Sequence, residues 1–235
     1  MRVALFTLLA LSSASALADT AIETETAQIG AQGEANVSQS FEYEHAKDGT
    51  AQGTLTQFEY GISDRSEILI EPFFYLWDHP DGSPRTSGAG DLEITPSYMV
   101  VLEHGWVPAV LLAFKVKVPT GDSNVGGTHE YDYYPYLIFG QHAGDWTFNA
   151  NLGVNYAQDA GGGRYHPQTV WDLEAEHEVL PDTTLFVEGF SAEDGVPSVS
   201  TALEWQFRKN MNVFLAAGYT DEHEVIVRPG INIQF

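Results

Sequence analysis

Asp172, Glu174 and Glu176 stand at alternate positions, and Glu42 with Glu44 and Lys115 with Lys117 repeat that spacing. On an extended strand, alternate residues share one face about 7 Å apart. A carboxylate row at that spacing has two uses. It binds a divalent cation when further oxygens converge on it, or it is a screened charge row that favours cations along a wet path. Nucleophilic chemistry is poorly provided for. The chain has no cysteine, which removes a thiol nucleophile, thiolate zinc sites and disulfides. The eight histidines, at 45, 79, 104, 129, 142, 166, 177 and 223, fall mostly in connections or at strand ends. No serine lies two residues from His177 on its strand, and no His-Glu-x-x-His or EF-hand string occurs. The Gly161-Gly162-Gly163-Arg164 run lacks the Lys-Ser/Thr of a phosphate loop. No catalytic residue, resident metal or cofactor is expected. A Ser/His pair assembled from different strands is the rival arrangement, and it implies a lipid-modifying hydrolase of the lipase or acyl-hydrolase type.

The elements that position these residues alternate with period two. From Trp146 to Tyr156, the set Trp146, Phe148, Ala150, Leu152, Val154 and Tyr156 is apolar, while Thr147, Asn149, Asn151, Gly153 and Asn155 are polar or small. One face meets hydrocarbon or a core and the other meets water. The pattern recurs along the chain and gives about twelve strands. They span roughly 34–45, 51–61, 66–77, 91–101, 107–118, 131–140, 146–156, 168–178, 183–191, 198–207, 211–219 and 223–235. Short turns, such as Ile62-Ser63-Asp64-Arg65 and Leu180-Pro181-Asp182, alternate with longer loops such as Asp78 to Gly90 and Pro119 to Glu130. Short turns at one end and long loops at the other mark an all-β, up-and-down antiparallel transmembrane β-barrel of the bacterial outer membrane. An even strand number returns both termini to the periplasmic side.

On that reading the apolar face meets lipid, and large aromatics gather at its two rims. Trp106, Trp146, Trp205 and Phe235 fall at the turn side, and Tyr156, Trp171 and Tyr219 at the loop side, as an aromatic girdle. The polar face lines the lumen with about fourteen carboxylates, on strict alternation. Among them are Glu71, Glu93, Asp132, Asp172, Glu174, Glu176, Glu188 and Glu204, against only Lys115, Lys117 and Arg228. The two readings of the lumen are a cation-favouring, water-filled pore and a solvated, salt-bridged filling that makes a closed structural barrel. A barrel of this size lies between side-chain-filled and open. Inward aromatics such as Phe73, Tyr75, Tyr134, Tyr136, Phe186 and Phe190 point to a narrow or partly filled lumen.

Composition and the N-terminus agree with export. The 235 residues carry a formal net charge of −23, from 33 Asp+Glu against 10 Lys+Arg. Such a surface repels phosphate backbones, so no nucleic-acid partner is expected. Aromatics at 12% argue against disorder. Met1-Arg2, the apolar run Val3 to Leu11 and the small residues ending in Ala16-Leu17-Ala18 form a secretory signal, with cleavage between Ala18 and Asp19. The run is too short for a membrane helix. The organisation expected is therefore a signal peptide over 1–18, a short periplasmic segment over 19–33 and an outer-membrane barrel over 34–235. The partners expected are outer-membrane lipids, small solutes and, through a C-terminal strand ending in Phe235, the outer-membrane assembly machinery.

Several strings resemble one family of barrels, the meta-pathway of phenol degradation family, often called simply "transporter". They are Phe58-Glu59-Tyr60-Gly61-Ile62-Ser63-Asp64-Arg65-Ser66-Glu67, Gly88-Ala89-Gly90-Asp91-Leu92 and Lys115-Val116-Lys117-Val118-Pro119-Thr120-Gly121. Tyr131-Asp132-Tyr133 and Trp146-Thr147-Phe148-Asn149-Ala150-Asn151-Leu152-Gly153 follow in the same order. The resemblance is closest over residues 50–160. It implies an outer-membrane location and a transport role, with no catalytic residues to carry over.

Overall fold

A computed structural model describes residues 22–47, 49–125, 129–158, 163–191, 197–220 and 224–235, the side chains of 73, 74 and 124 excepted. The signal peptide and its Ala18/Asp19 cleavage site lie outside the described residues. Thirteen strands form one sheet: β1 (Ala35–Ala46), β2 (Gly49–Ser63), β3 (Ser66–Pro80), β4 (Thr86–Gly88), β5 (Leu92–Val101), β6 (Ala109–Val118), β7 (Asp132–Ala143), β8 (Trp146–Gln158), β9 (Tyr165–Leu180), β10 (Thr183–Ser191), β11 (Pro197–Arg208), β12 (Met211–Tyr219) and β13 (Val225–Gln234). Each main strand pairs antiparallel with its sequence neighbour. β1 then pairs with β13, from Asn36↔Gln234 to His45↔Val225, and closes the ring. β4 pairs only with β3, so twelve strands make the barrel. Closure gives each of the twelve barrel strands a partner on both sides, which is what a β-structure needs in hydrocarbon.

Tight turns at one end join β2–β3, β7–β8, β9–β10 and β11–β12. Gly144 (φ 68°) and Asp182 (φ 61°) take the left-handed conformation such turns require. The opposite end carries the long connections, including β4 and a short 3-10 turn at Ser123–Val125 that the alternation did not reveal. The outer face exposes Leu112, Leu152, Leu173, Leu203 and Leu215, each about half accessible. A soluble protein does not leave so continuous an apolar band uncovered.

One expectation is corrected. The register shifts between Thr54 and Leu55 where β2 meets β3, a bulge that moves the side chains beyond it to the other face. Tyr75 therefore lies outside, edge-on to Trp77 at 4.6 Å, rather than in the lumen. A further finding concerns the segment before β1, expected as a short periplasmic stretch over 19–33: its described residues 22–30 run inside the barrel. They enter its lumen, because the inner wall offers hydrogen-bond acceptors and an apolar shelf to an otherwise unsatisfied extended chain.

That shelf is the interior of β5, β6 and β7. Met99, Ala109, Leu111, Ala113, Tyr136 and Ile138 pack with Ala27, and Ile29 and Tyr134 lean on them. A wet pore has no use for such a face. A second apolar group joins Ile22 to Phe186, Phe190, Ala202, Ala216 and Ile226.

Candidate functional site

The lumen is built around the inserted segment, and its strongest grip is Glu188 on β10. The strand alternation turns Glu188 inward, and its side chain is only 2% exposed. One carboxylate oxygen accepts the Glu23 N–H at 2.9 Å, the Thr24 N–H at 2.5 Å and the Thr24 hydroxyl at 2.6 Å. The other accepts the Ile22 N–H at 3.1 Å and the Ser200 hydroxyl at 2.6 Å. Three successive N–H groups converging on one carboxylate form a backbone nest. On β13, Arg228 donates through Nη1 to the Ile22 carbonyl at 3.0 Å and through Nε to Glu42 at 2.8 Å.

Further along, side-chain amides take over. Asn151, with its amide oriented to suit both partners, donates to the Glu25 carbonyl at 2.9 Å and accepts the Glu25 N–H at 2.7 Å. Asn149 Oδ1 accepts the Ala27 N–H at 3.3 Å, while its Nδ2 donates to Glu174 at 3.0 Å and Glu176 at 2.6 Å. Glu67 accepts the Gly30 N–H at 3.2 Å. Glycine makes the room. A Cβ on Gly140 would stand 2.5 Å from the Ala27 Cβ, one on Gly218 2.8 Å from Ile22 Cδ1, and one on Gly61 would collide with the Ala31 carbonyl.

Lys115 is the electrostatic centre. Its ammonium lies 3.5 Å from Glu25 on the segment, 3.4 Å from Glu71 on β3 and 3.3 Å from Glu93 on β5. Burial pushes the Glu25 carboxyl above the usual carboxylate range, against the pull of the Lys115 ammonium and together with repulsion from Glu71. Lys117 pairs with Asp132. Above this cluster, toward the long loops, a cavity of about 750 Å³ remains open. Glu23, Glu25, Glu44, Glu71, Glu93, Asp132 and Glu224 line it against Lys115, Lys117 and Arg228, seven carboxylates to three cations.

The residues singled out by alternation divide into two groups. Glu71, Glu93, Lys115, Lys117, Asp132 and Arg228 border the cavity. Asp172, Glu174, Glu176, Glu188 and Glu204 are buried on the inner face around or below the segment, with Glu204 accepting from Asn232 at 3.2 Å. The aromatics lie on the outer face. Trp106 is at the tip of the β5–β6 turn, 92% exposed, with Trp146, Trp205 and Phe235 at the same end. Tyr156, Tyr219 and the half-buried Trp171 lie toward the loop side, Trp171 level with the end of β10 through its N–H bond to Ser191. The row of Asp172, Glu174 and Glu176 is joined to the wall by amides. Among the described residues no group of three His, Asp or Glu side chains is arranged to hold a metal.

Sequence reasoning missed the roles of Asn149 and Asn151, which hold the segment, and of Thr24, through which Glu188 grips it. A signal was present: inward-facing Leu111, Ala113 and Ile138 are out of place in a water-filled lumen and imply a cover. His177, which has no serine beside it on its strand, stacks on Trp146 at 4.4 Å and contacts the Asp145 carbonyl at 2.9 Å.

The architecture is shared with solved outer-membrane proteins. The COG4313 outer membrane channel from Pseudomonas putida F1 superposes with a TM-score of 0.73 at 13% identity, covering 92% of this chain and 100% of that one. A KdgM porin in complex with disordered oligogalacturonate gives 0.59 at 15% identity, over 84% and 99%. Outer membrane phospholipase A from Escherichia coli gives 0.50 at 10% identity, over 83% and 92%. At these identities the likeness establishes the fold, which serves both channels and an enzyme. No curated protein matches the chain. The family described as "Putative MetA-pathway of phenol degradation" matches residues 18–231, nearly the whole barrel and its inserted segment, and the chain belongs to that family.

Proposed function

We propose that the protein is an outer-membrane channel that passes small solutes passively through a narrow, acidic lumen, with the long loops outside the cell. The observation that carries this reading is the 750 Å³ cavity and its seven-to-three excess of carboxylates. Low-dielectric walls focus that charge, so cations are concentrated at the floor and anions are repelled. Residues 22–34 narrow the passage below the cavity. The similarity to channels and porins supports this reading over a hydrolase. His177 adds to that preference, since its neighbours are a tryptophan ring and a backbone carbonyl rather than a serine hydroxyl.

Planar-bilayer recording of the purified barrel tests it. Small ohmic currents are expected, with a reversal potential displaced toward the cation value in a salt gradient. Glu44→Gln combined with Glu93→Gln should reduce that displacement while the barrel still folds. Absence of any conductance, or anion preference, would sink the proposal.

Acidification should tighten the seat of the segment. Glu25 has a raised pKa when seated and an ordinary one, near about 4.3, when released into water. Between those values the seated form binds the extra proton, so lowering the pH through that window favours it and raising the pH weakens it. Conductance is therefore expected to fall as the pH is lowered toward the ordinary carboxylate range, and Glu25→Gln should flatten the response.

A further inference from the structure

We propose that the outer surface of β3 and β4, at the loop-side rim, docks the phosphate of an outer-leaflet glycolipid headgroup. The bulge between β2 and β3 creates the surface by turning Tyr75, Trp77 and His79 outward. β4 then folds back along β3, through Trp77↔Ser87 and its neighbours, and brings the Arg85 guanidinium 5.9 Å above the Trp77 ring. The Tyr75 hydroxyl donates to Ser87 at 3.0 Å and fixes the platform. The strand is braced from behind, where the Ala89 N–H donates to Asp122 Oδ2 at 3.0 Å and the Asp122 N–H returns a bond to the Ala89 carbonyl at 2.8 Å. His45 and His79 flank Thr50 in register on the same face, and both are exposed.

The charge is what makes this surface unusual. In a chain with 33 carboxylates and 10 basic residues, the lumen cations Lys115, Lys117 and Arg228 are all ion-paired. Arg85 is exposed and stacked on an indole, and it makes no salt bridge with a described residue. Asp81, in the preceding turn, is the nearby exposed carboxylate, and Asp78 lies on the opposite, inward parity. A guanidinium presents a planar fork that matches phosphate oxygens. Tryptophan and tyrosine settle at headgroup depth. The patch faces away from the cavity, so it meets lipid rather than a passing solute.

The location in the outer leaflet rests on the orientation proposed above, but the binding chemistry does not, and the two are tested apart. The whole barrel, stripped of lipid in a nonionic detergent, is titrated with phosphorylated lipid A and bound lipid is counted by native mass spectrometry. Wild-type binding is expected, with Arg85→Gln and Trp77→Leu each weakening it by roughly tenfold, the scale of one charge-assisted contact. Arg65→Gln, at the turn end, should bind as wild type. Dephosphorylated lipid A binding equally well, unchanged binding by Arg85→Gln, or complete competition by millimolar inorganic phosphate would each overturn the proposal. Heat-modifiable gel mobility verifies that each variant is folded. Orientation is read separately from Ser83→Cys, a unique thiol in a cysteine-free chain. Labelling on intact cells by a membrane-impermeant maleimide supports the outer-leaflet placement, and its absence overturns that placement.

Discussion

Replacing Glu188 by alanine is expected to loosen the start of the inserted segment, Ile22 to Thr24, and raise single-channel conductance severalfold. The substitution removes the acceptor of three backbone N–H groups, the Thr24 hydroxyl and the Ser200 hydroxyl at once. A buried donor left without a partner costs about 1–3 kcal/mol, and here several are orphaned together on one short stretch of chain. The remaining hold is a single Arg228 bond to the Ile22 carbonyl at the start of the segment, with Asn149, Asn151 and the Lys115–Glu25 pair further along, so the first residues are left loosely held. The barrel wall is a separate ladder of backbone bonds and should persist. Two measurements check this: bilayer conductance, and maleimide access to a cysteine introduced at Thr26. Glu188→Gln keeps an acceptor and should give an intermediate value. Wild-type behaviour of Glu188→Ala in both assays would mean that the apolar contacts of Ile22 and Ala27 suffice to hold the segment.

Lys115→Met should be the most damaging single change to the stability of the barrel. It leaves Glu25, Glu71 and Glu93 facing one another with no common cation. Breaking a buried ion pair from one side typically costs about 3–5 kcal/mol, and this ammonium serves three carboxylates from three separate elements. A lower midpoint of heat-modifiable unfolding is expected. Adding Glu71→Gln should restore part of the loss, because the double variant removes the repulsion that the single one exposes. If the double variant is no better than the single, the cost lies in packing of the lysine stem rather than in charge.

The wall of this protein was legible because alternation is a local property. Each strand states its own two faces, and the spans read from periodicity agree with β8 at Trp146–Gln158 and β12 at Met211–Tyr219 within a few residues. The turned face of Tyr75 was not legible, since one extra residue at a bulge reverses parity without altering composition. The filling of the lumen was harder still. Residues 22–34 are short of strand pattern and helix pattern alike, and their structure comes from partners such as Glu188 and Asn149 more than a hundred positions away. The alternation placed those partners on the inner face but says nothing of what they would hold. β4 is only three residues long, too brief for periodicity to register, although it carries the surface beneath Arg85.

The pairing of β1 with β13 has a consequence for how the molecule is made. Asn36 meets Gln234 only after nearly the whole chain has been synthesised, which makes ring closure the strand pairing of greatest sequence separation and the slowest expected to form. The stretch that occupies the lumen lies immediately before β1. Threading it through a finished ring would demand passage past tight inner walls at Gly61, Gly140 and Gly218, whereas laying it across an unclosed sheet demands nothing of the kind. The barrel is therefore expected to close around the segment that precedes β1, and its lumen is narrowed from the moment the last strand docks.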